Sequence, residues 1–452
     1  MRDCAIATCD AADGAGTEHA SGHLLLDGNR IAAVGAGPAP ADLAGSADRV
    51  VDGTGCLATP GLVNTHHHLY QWATRGLAQQ ADLFGWLGEL YPLWARIDAE
   101  LVGATAAAGL GRLARTGCTT STDHLYVFPR GGDSAGDLFG SEVEAARRIG
   151  LRFHPCRGSM DLGASDGGLP PDEVVEDRDA VLAATADAID THHDPSPDSM
   201  LRVAVAPCSP FSVTGELMRE AADLARDRGV RLHTHLAETR EEEQFCQDRF
   251  GCTPAAYVEQ LGWLADDVWL AHCVHLDRAT IARLGETGTG VAHCPSSNAR
   301  LGAGIASVAA MLGAGVPVGL GVDGPASNEQ SSLAAELHAA VLMARARSGP
   351  RALTARQALA LGTIGGARCL GREDDLGSLE AGKLADVALW RLDGPAHAGI
   401  LDPVAALVLG ERPPLALLLV DGRPVVEDDV LLSADEHALT AAATTAAERL
   451  TR

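Results

Sequence analysis

Histidine is the residue type with the most chemical promise in this chain. Seventeen occur in 452 residues, and His66, His67 and His68 are consecutive. In an extended segment, side chains two apart point to the same side, so His66 and His68 can present their imidazoles together while His67 faces away. Two imidazoles held in that way can share one metal ion. A third histidine and a carboxylate complete an N3O set suited to Zn2+ or Fe2+. His235, His272 and Asp323 supply the candidates, each late in a short run rich in apolar residues.

Those runs belong to a regular pattern. Eight strand candidates read TPGLVNTH (59–66), CTTSTDHL (118–125), LRFHPC (151–156), LRVAVAPC (201–208), VRLHTHLA (230–237), VWLAHCVH (268–275), TGVAHCP (289–295) and VPVGLGVD (316–323). Stretches of helical period separate them, among them GELMREAADLARDRG at 215–229 and AAYVEQLGWLA at 255–265. Alternation of this kind predicts parallel β/α units, and eight of them over about 300 residues predict a (β/α)8 TIM barrel. His66, His68, His235, His272 and Asp323 then fall at strand C-termini, the face on which barrel enzymes build their sites. The Gly-, Asp- and Pro-rich stretch at 160–200 reads as a long surface loop, and the charged TREEEQ after Glu238 as the exposed start of a helix.

Both ends of the chain have a different texture. The head, GHLLLDGNRIAAVG and RVVDGTGCLATPG, and the tail, LGSLEAGKLADVALWRL and LALLLVDGRPVVEDDVLL, are short strands with Asp-Gly turns. We expect residues 1–58 and 372–432 to pair into one small β-sandwich built from both termini. Residues 59–371 form the barrel, and 433–452 a C-terminal helix.

Composition narrows the function. With 35 Lys and Arg against 60 Asp and Glu, the net charge of −25 argues against nucleic acid and disfavours polyanionic substrates. Lys383 is the sole lysine, which excludes Schiff-base chemistry and a carboxylated lysine bridging two metals. Eleven cysteines form no CxxC pair and suit a reducing cytoplasm. No apolar run reaches the 18 residues of a membrane span, and no signal segment is visible at the N-terminus, so a cytoplasmic location is expected.

The motifs resemble those of the amidohydrolase superfamily. TPGLVNTHHH (59–68) is similar to its first-strand metal motif and HLAE (235–238) to its fifth-strand motif. AHCVH (271–275), HCPSSNARLGAG (293–304) and GVDGPASN (321–328) resemble strands six to eight of its deaminase branch, and LGSLEAGKLADVALW (376–390) its returning terminal strand. The resemblance implies that His66, His68, His235 and Asp323 bind one metal, Zn2+ with Fe2+ the alternative, and that Glu238, His272 and Asp323 are catalytic. A metal lowers the pKa of its water from about 15.7 towards 7, and hydroxide attacks an amino-bearing ring carbon. Asp323 takes the water's proton, Glu238 protonates a ring nitrogen, and His272 stabilises the developing oxygen.

HHHLYQ (66–71), PCSPFSV (207–213), HTHLAETREEEQFC (233–246) and VWLAHCVHL (268–276) look like the 8-oxoguanine deaminase group, with hydroxytriazine amidohydrolases sharing much of the pattern. The implied substrate is a heterocyclic lactam base, the implied reaction 8-oxoguanine to urate and ammonia, and the implied assembly a homodimer. Isocytosine, a pterin or a hydroxytriazine remains open as substrate, as does a barrel that has become a scaffold. Gln71 could meet the amide edge of a base, Trp72 could stack on it, and Ser209 and Phe211 could touch its far side. Tyr70, Trp72, Phe84, Trp86, Tyr91 and Trp94 are dense enough to form a lid, a pocket wall or a dimer contact. Cys208, His293, Asn298, His124 and His154 carry no assigned role.

Overall fold

The computed structural model describes residues 1–452, the side chains of 42–44 excepted. Four strands come first: β1 (Arg2–Ala7), β2 (Glu18–Asp27), β3 (Arg30–Ala36) and β4 (Cys56–Pro60). The barrel follows with β5 (Leu62–Asn64), β6 (Cys118–Leu125), β7 (Arg152–Ser159), β8 (Ala204–Pro207), β9 (Leu232–Leu236), β10 (Val268–His272), β11 (Gly290–His293) and β12 (Val318–Leu320). Four strands close the chain: β13 (Val387–Arg391), β14 (Leu415–Val420), β15 (Arg423–Glu427) and β16 (Val430–Leu431).

β5 to β12 form a closed, wholly parallel eight-stranded barrel in chain order, as the alternating pattern requires. Oxygen-bearing side chains start the helices between them. Asp98, Ser134, Thr214, Thr239 and Asp277 each accept a backbone N–H from the first turn. Several of these helices end at glycine in the left-handed region, Gly150, Gly229, Gly251 and Gly288, where other residues would be strained.

The head and tail strands meet in a second, mixed sheet of order β16-β15-β14-β13-β4-β1-β2-β3. It is one continuous hydrogen-bonded sheet, joined where β4 runs antiparallel to β13. Cys4, Ile6, Leu24, Ile31, Ala58, Val387, Leu389, Leu417 and Leu419 share its core. The hairpins turn where expected, at Gly28-Asn29 and at Asp421-Gly422, both residues of the latter having positive φ.

Two readings of the sequence change. The run at 59–66 is not one strand. Thr59 and Pro60 complete β4 in the terminal sheet, and the chain crosses into the barrel at Gly61, where a Cβ would stand 2.1 Å from the Thr119 side chain. The stretch at 160–200 holds a 15-residue helix, Arg178–His192, capped by Asp177. The turn-forming residues flanking its alanine-rich core masked it. The final helix, Glu436–Thr451, buries Leu439 and Leu450 and packs along the helix Ala99–Ala114. No helix among the described residues is long and apolar enough to cross a membrane.

Candidate active site

The C-terminal ends of the barrel strands bring His66, His68, His235, His272 and Asp323 together, all buried. His66 Nε2 and His68 Nε2 each lie 3.4 Å from Asp323 Oδ1, and His68 Nε2 is 3.1 Å from His235 Nε2. The other ring nitrogens set the tautomers. His68 Nδ1 donates to the His124 carbonyl at 2.7 Å and His235 Nδ1 to the Cys208 carbonyl at 2.7 Å. His233 Nδ1 donates to the Trp269 carbonyl, which leaves its Nε2 to accept from His66 Nδ1 at 2.8 Å. The Nε2 atoms of His66, His68 and His235 therefore each turn a lone pair inward.

Burial lowers the proton affinity of all three rings, so they are neutral. Burial alone would raise the Asp323 carboxyl, but the neighbouring His272 counters it and holds it well below its usual range. Three neutral imidazoles and a carboxylate thus converge as acceptors, and His66 Nε2 has no hydrogen-bond partner. Buried acceptors so arranged call for a cation: His66, His68 and His235 form one group with His124, and His66 and Asp323 a second with His272, and such donors fit a divalent metal ion. His67 faces the other way, with its Nε2 3.4 Å from Ser331 Oγ.

Backbone geometry contributes. Ala237, His272, Cys273 and Asp323 all have positive φ, the sparsely populated region for non-glycine residues, and all sit where a strand turns off the barrel. The turns aim three groups at one point. His272 Nε2 lies 3.6 Å from Glu238 Oε2 and 3.9 Å from Asp323 Oδ2, while its Nδ1 donates to Asn298 Oδ1 at 2.9 Å. Burial pushes Glu238 up to about 7, against the pull of His272. Burial would lower His272, yet Glu238 and Asp323 raise it above the usual histidine value. Ser297 Oγ donates to Asp323 Oδ2 at 2.5 Å.

Beside these groups is a small cavity of about 30 Å3, into which His68, His235, Glu238, His272 and Asp323 all face. Gln71, Tyr126, Cys208, Phe211, Leu301 and Ser327 line it, and the helix Leu83–Trp94 closes it with Leu83, Trp86, Leu87 and Tyr91. The aromatic segment is thus a pocket wall: Phe84 packs on Phe211 behind it, and Trp94 contacts Tyr70, Trp86 and Tyr91. Gln71 carries a buried Oε1 with no partner.

Two expected substrate contacts move elsewhere. Trp72 follows Gln71 on a tight 3-10 turn, where successive side chains diverge by about 120°. It faces an outer cleft beneath the C-terminal helix, with the Arg75 guanidinium 4.2 Å above its ring. Ser209 is buried off the cavity wall, its hydroxyl paired with Ser212 at 2.7 Å. The sequence reading missed Tyr126, Leu301 and Ser327, and it missed Glu242, which is fully buried within the supposedly exposed TREEEQ run.

The model of the amidohydrolase family matches residues 57–425. This chain belongs to the amidohydrolase family. It is 43% identical over 437 residues to the 8-oxoguanine deaminase of Pseudomonas aeruginosa, covering 96% of each protein. It is 38% identical to an isoxanthopterin deaminase from an unknown prokaryotic organism, covering 91% of this chain and 88% of that one. Among solved structures, the zinc-complexed atrazine chlorohydrolase of Arthrobacter aurescens superposes with a TM-score of 0.92 at 35% identity over 99% of each chain. The amidohydrolase described here is an enzyme, a hydrolase of C–N bonds.

Proposed function

We propose that this amidohydrolase removes the amino group of an oxidised purine lactam, converting 8-oxoguanine to urate and ammonia, with one Zn2+ per chain held by His66, His68, His235 and Asp323. The observation that carries this reading is the cavity itself. Its described lining contains no lysine or arginine for phosphate or carboxylate, and it brings the bare Gln71 carbonyl and Glu238 to one cavity, which supports recognition of a neutral amino-lactam. The extent of the identity to a named 8-oxoguanine deaminase supports the same choice.

When bound, the metal would lower the proton affinity of a water so that hydroxide is available near neutral pH. The chain's own groups do the rest. Asp323, fixed by Ser297, receives the proton that the attacking water gives up. Glu238, held near neutrality by burial, donates to the ring nitrogen beside the attacked carbon and removes the charge that builds there. His272, between Glu238 and Asp323, faces the developing oxyanion. The new C–O bond forms, the hydroxyl proton of the adduct returns to Glu238 as the carbonyl develops, the C–N bond breaks, and the Asp323 proton leaves with the amino group as ammonia. Gln71 Oε1 accepts a ring N–H and orients the lactam edge.

Cysteines that are mostly buried and form no disulfide suit a reducing cytoplasm as the location. Isoxanthopterin presents a related amino-lactam edge, and a relative is named for it. The test is ammonia release by the zinc-loaded protein across guanine, 8-oxoguanine, isocytosine, isoxanthopterin and hydroxyatrazine. Preference for 8-oxoguanine upholds the reading; silence on it with turnover of another member replaces the substrate.

A further inference from the structure

The first turn of the helix Arg240–Phe250 contains three consecutive glutamates, of which Glu242 behaves unlike an exposed acid. It is fully buried, and its carboxylate turns back towards the barrel. Oε1 accepts the backbone N–H of Ala237 and Oε2 that of Glu238, both at 2.9 Å. These two amides belong to the turn between His235 and Glu238, in which Ala237 is held at φ +51°. Two N–H groups pointing the same way form a fork that the two oxygens of one carboxyl group fit.

We propose that Glu242 is a positioning residue for the reaction: by clasping both amides it fixes the strained turn and so sets the direction in which Glu238 leaves the backbone. The consequence is geometric. His235 lies within the barrel strand β9 and is anchored independently through the Cys208 carbonyl. Glu238, three residues on, lies beyond the last strand residue, Leu236, and its backbone N–H is bonded to no strand neighbour. Thr239 only caps the helix that follows. The Ala237 carbonyl also accepts the His275 N–H at 2.9 Å, but only the clasp holds the backbone N–H of Glu238 itself; without it, Glu238 would lose its fixed separation of 3.6 Å from His272 while the histidine cluster stayed in place.

The inference rests on the reading of Glu238 as the group that protonates the ring, and its test separates the two. Glu242→Gln preserves shape but offers one acceptor and sets an NH2 group against the second amide. Its kcat is expected to fall about tenfold or more, with KM changed by less than about twofold and metal content per chain unaltered. A merely structural role would lower the melting temperature and leave kcat of the folded fraction intact. Full kcat in Glu242→Gln, with Glu238→Gln inactive beside it, overturns the positioning claim alone; full kcat in Glu238→Gln overturns both. Amide hydrogen exchange of the wild-type protein gives a readout that needs no substrate. The Ala237 and Glu238 amides should be protected, and should exchange about tenfold or more faster in Glu242→Gln. Unprotected amides in the wild type would show that no clasp exists.

Discussion

At the scale of single residues, metal binding is proposed to fall to His66, His68 and His235 and protonation of the ring to Glu238, with Asp323 both a ligand and a proton carrier. His235 contributes a lone pair to the cluster, whereas Glu238 lies outside it and meets His272. His235→Ala should therefore purify with little metal and no activity. Glu238→Gln should retain one metal per chain while kcat falls by about 10² to 10⁴. Metal analysis beside ammonia release measures both, and equal metal loss in the two variants would contradict the division. The cluster was readable because its signal is local: a two-residue spacing puts His66 and His68 on one side of an extended chain, and His235, His272 and Asp323 end apolar runs. Trp72 was misread because strand-like or helical spacing does not apply on a 3-10 turn. Glu242 escaped notice because nothing in a run of three glutamates tells which one turns inward.

At the scale of elements, the site depends on how tightly neighbouring loops approach. The loop after β12 passes so close to the turn after β5 that a Cβ on Gly324 would stand 1.7 Å from Gln71 Oε1. Gly324→Ala should displace the Gln71 amide without unfolding the protein, and KM for the base should rise about tenfold, the worth of one good hydrogen bond. Steady-state kinetics would show it as a KM effect. Behind β6, Asp123 accepts the Leu69 N–H and faces Glu142 from the helix Ala135–Ile149, both fully buried. Burial is the main cause that raises both carboxyls, and the charge of Asp123 raises Glu142 further. An acid with a raised folded-state pKa contributes stability at low pH and loses it as pH rises from the unfolded value near 4 towards the folded one. Melting temperature should decline between pH 5 and 8 in the wild type and decline less in Glu142→Gln, which should be more stable by about 1 kcal/mol or more at pH 8. The barrel itself was legible because eight short runs alternate with helical stretches. The split of the first run between β4 and β5 was not, because continuity of apolar residues gives no hint of a change of sheet.

At the scale of the whole molecule, one arginine ties the two sheets together. Arg152, at the start of β7 and 1% exposed, binds Asp386 through Nε at 2.9 Å and Asp421 through Nη2 at 2.8 Å. Both acids belong to the tail of the chain, more than 230 residues away. Arg152→Leu leaves two carboxylates without their partner and should cost about 3–5 kcal/mol, read by thermal or denaturant unfolding. That the head and tail strands would pair was visible in their shared texture and Asp-Gly turns; that they join into one sheet through β4 and β13, and that Arg152 locks it, depends on contacts too distant in sequence to read. All these parts serve one assembled site, proposed to be a metal-dependent aminohydrolase centre acting on a free oxidised base. The decisive experiment follows ammonia released from 8-oxoguanine as zinc is titrated into metal-free protein. Activity should rise from nothing and level off at one zinc per chain. Full turnover without metal, or none at one zinc per chain, would contradict the proposal.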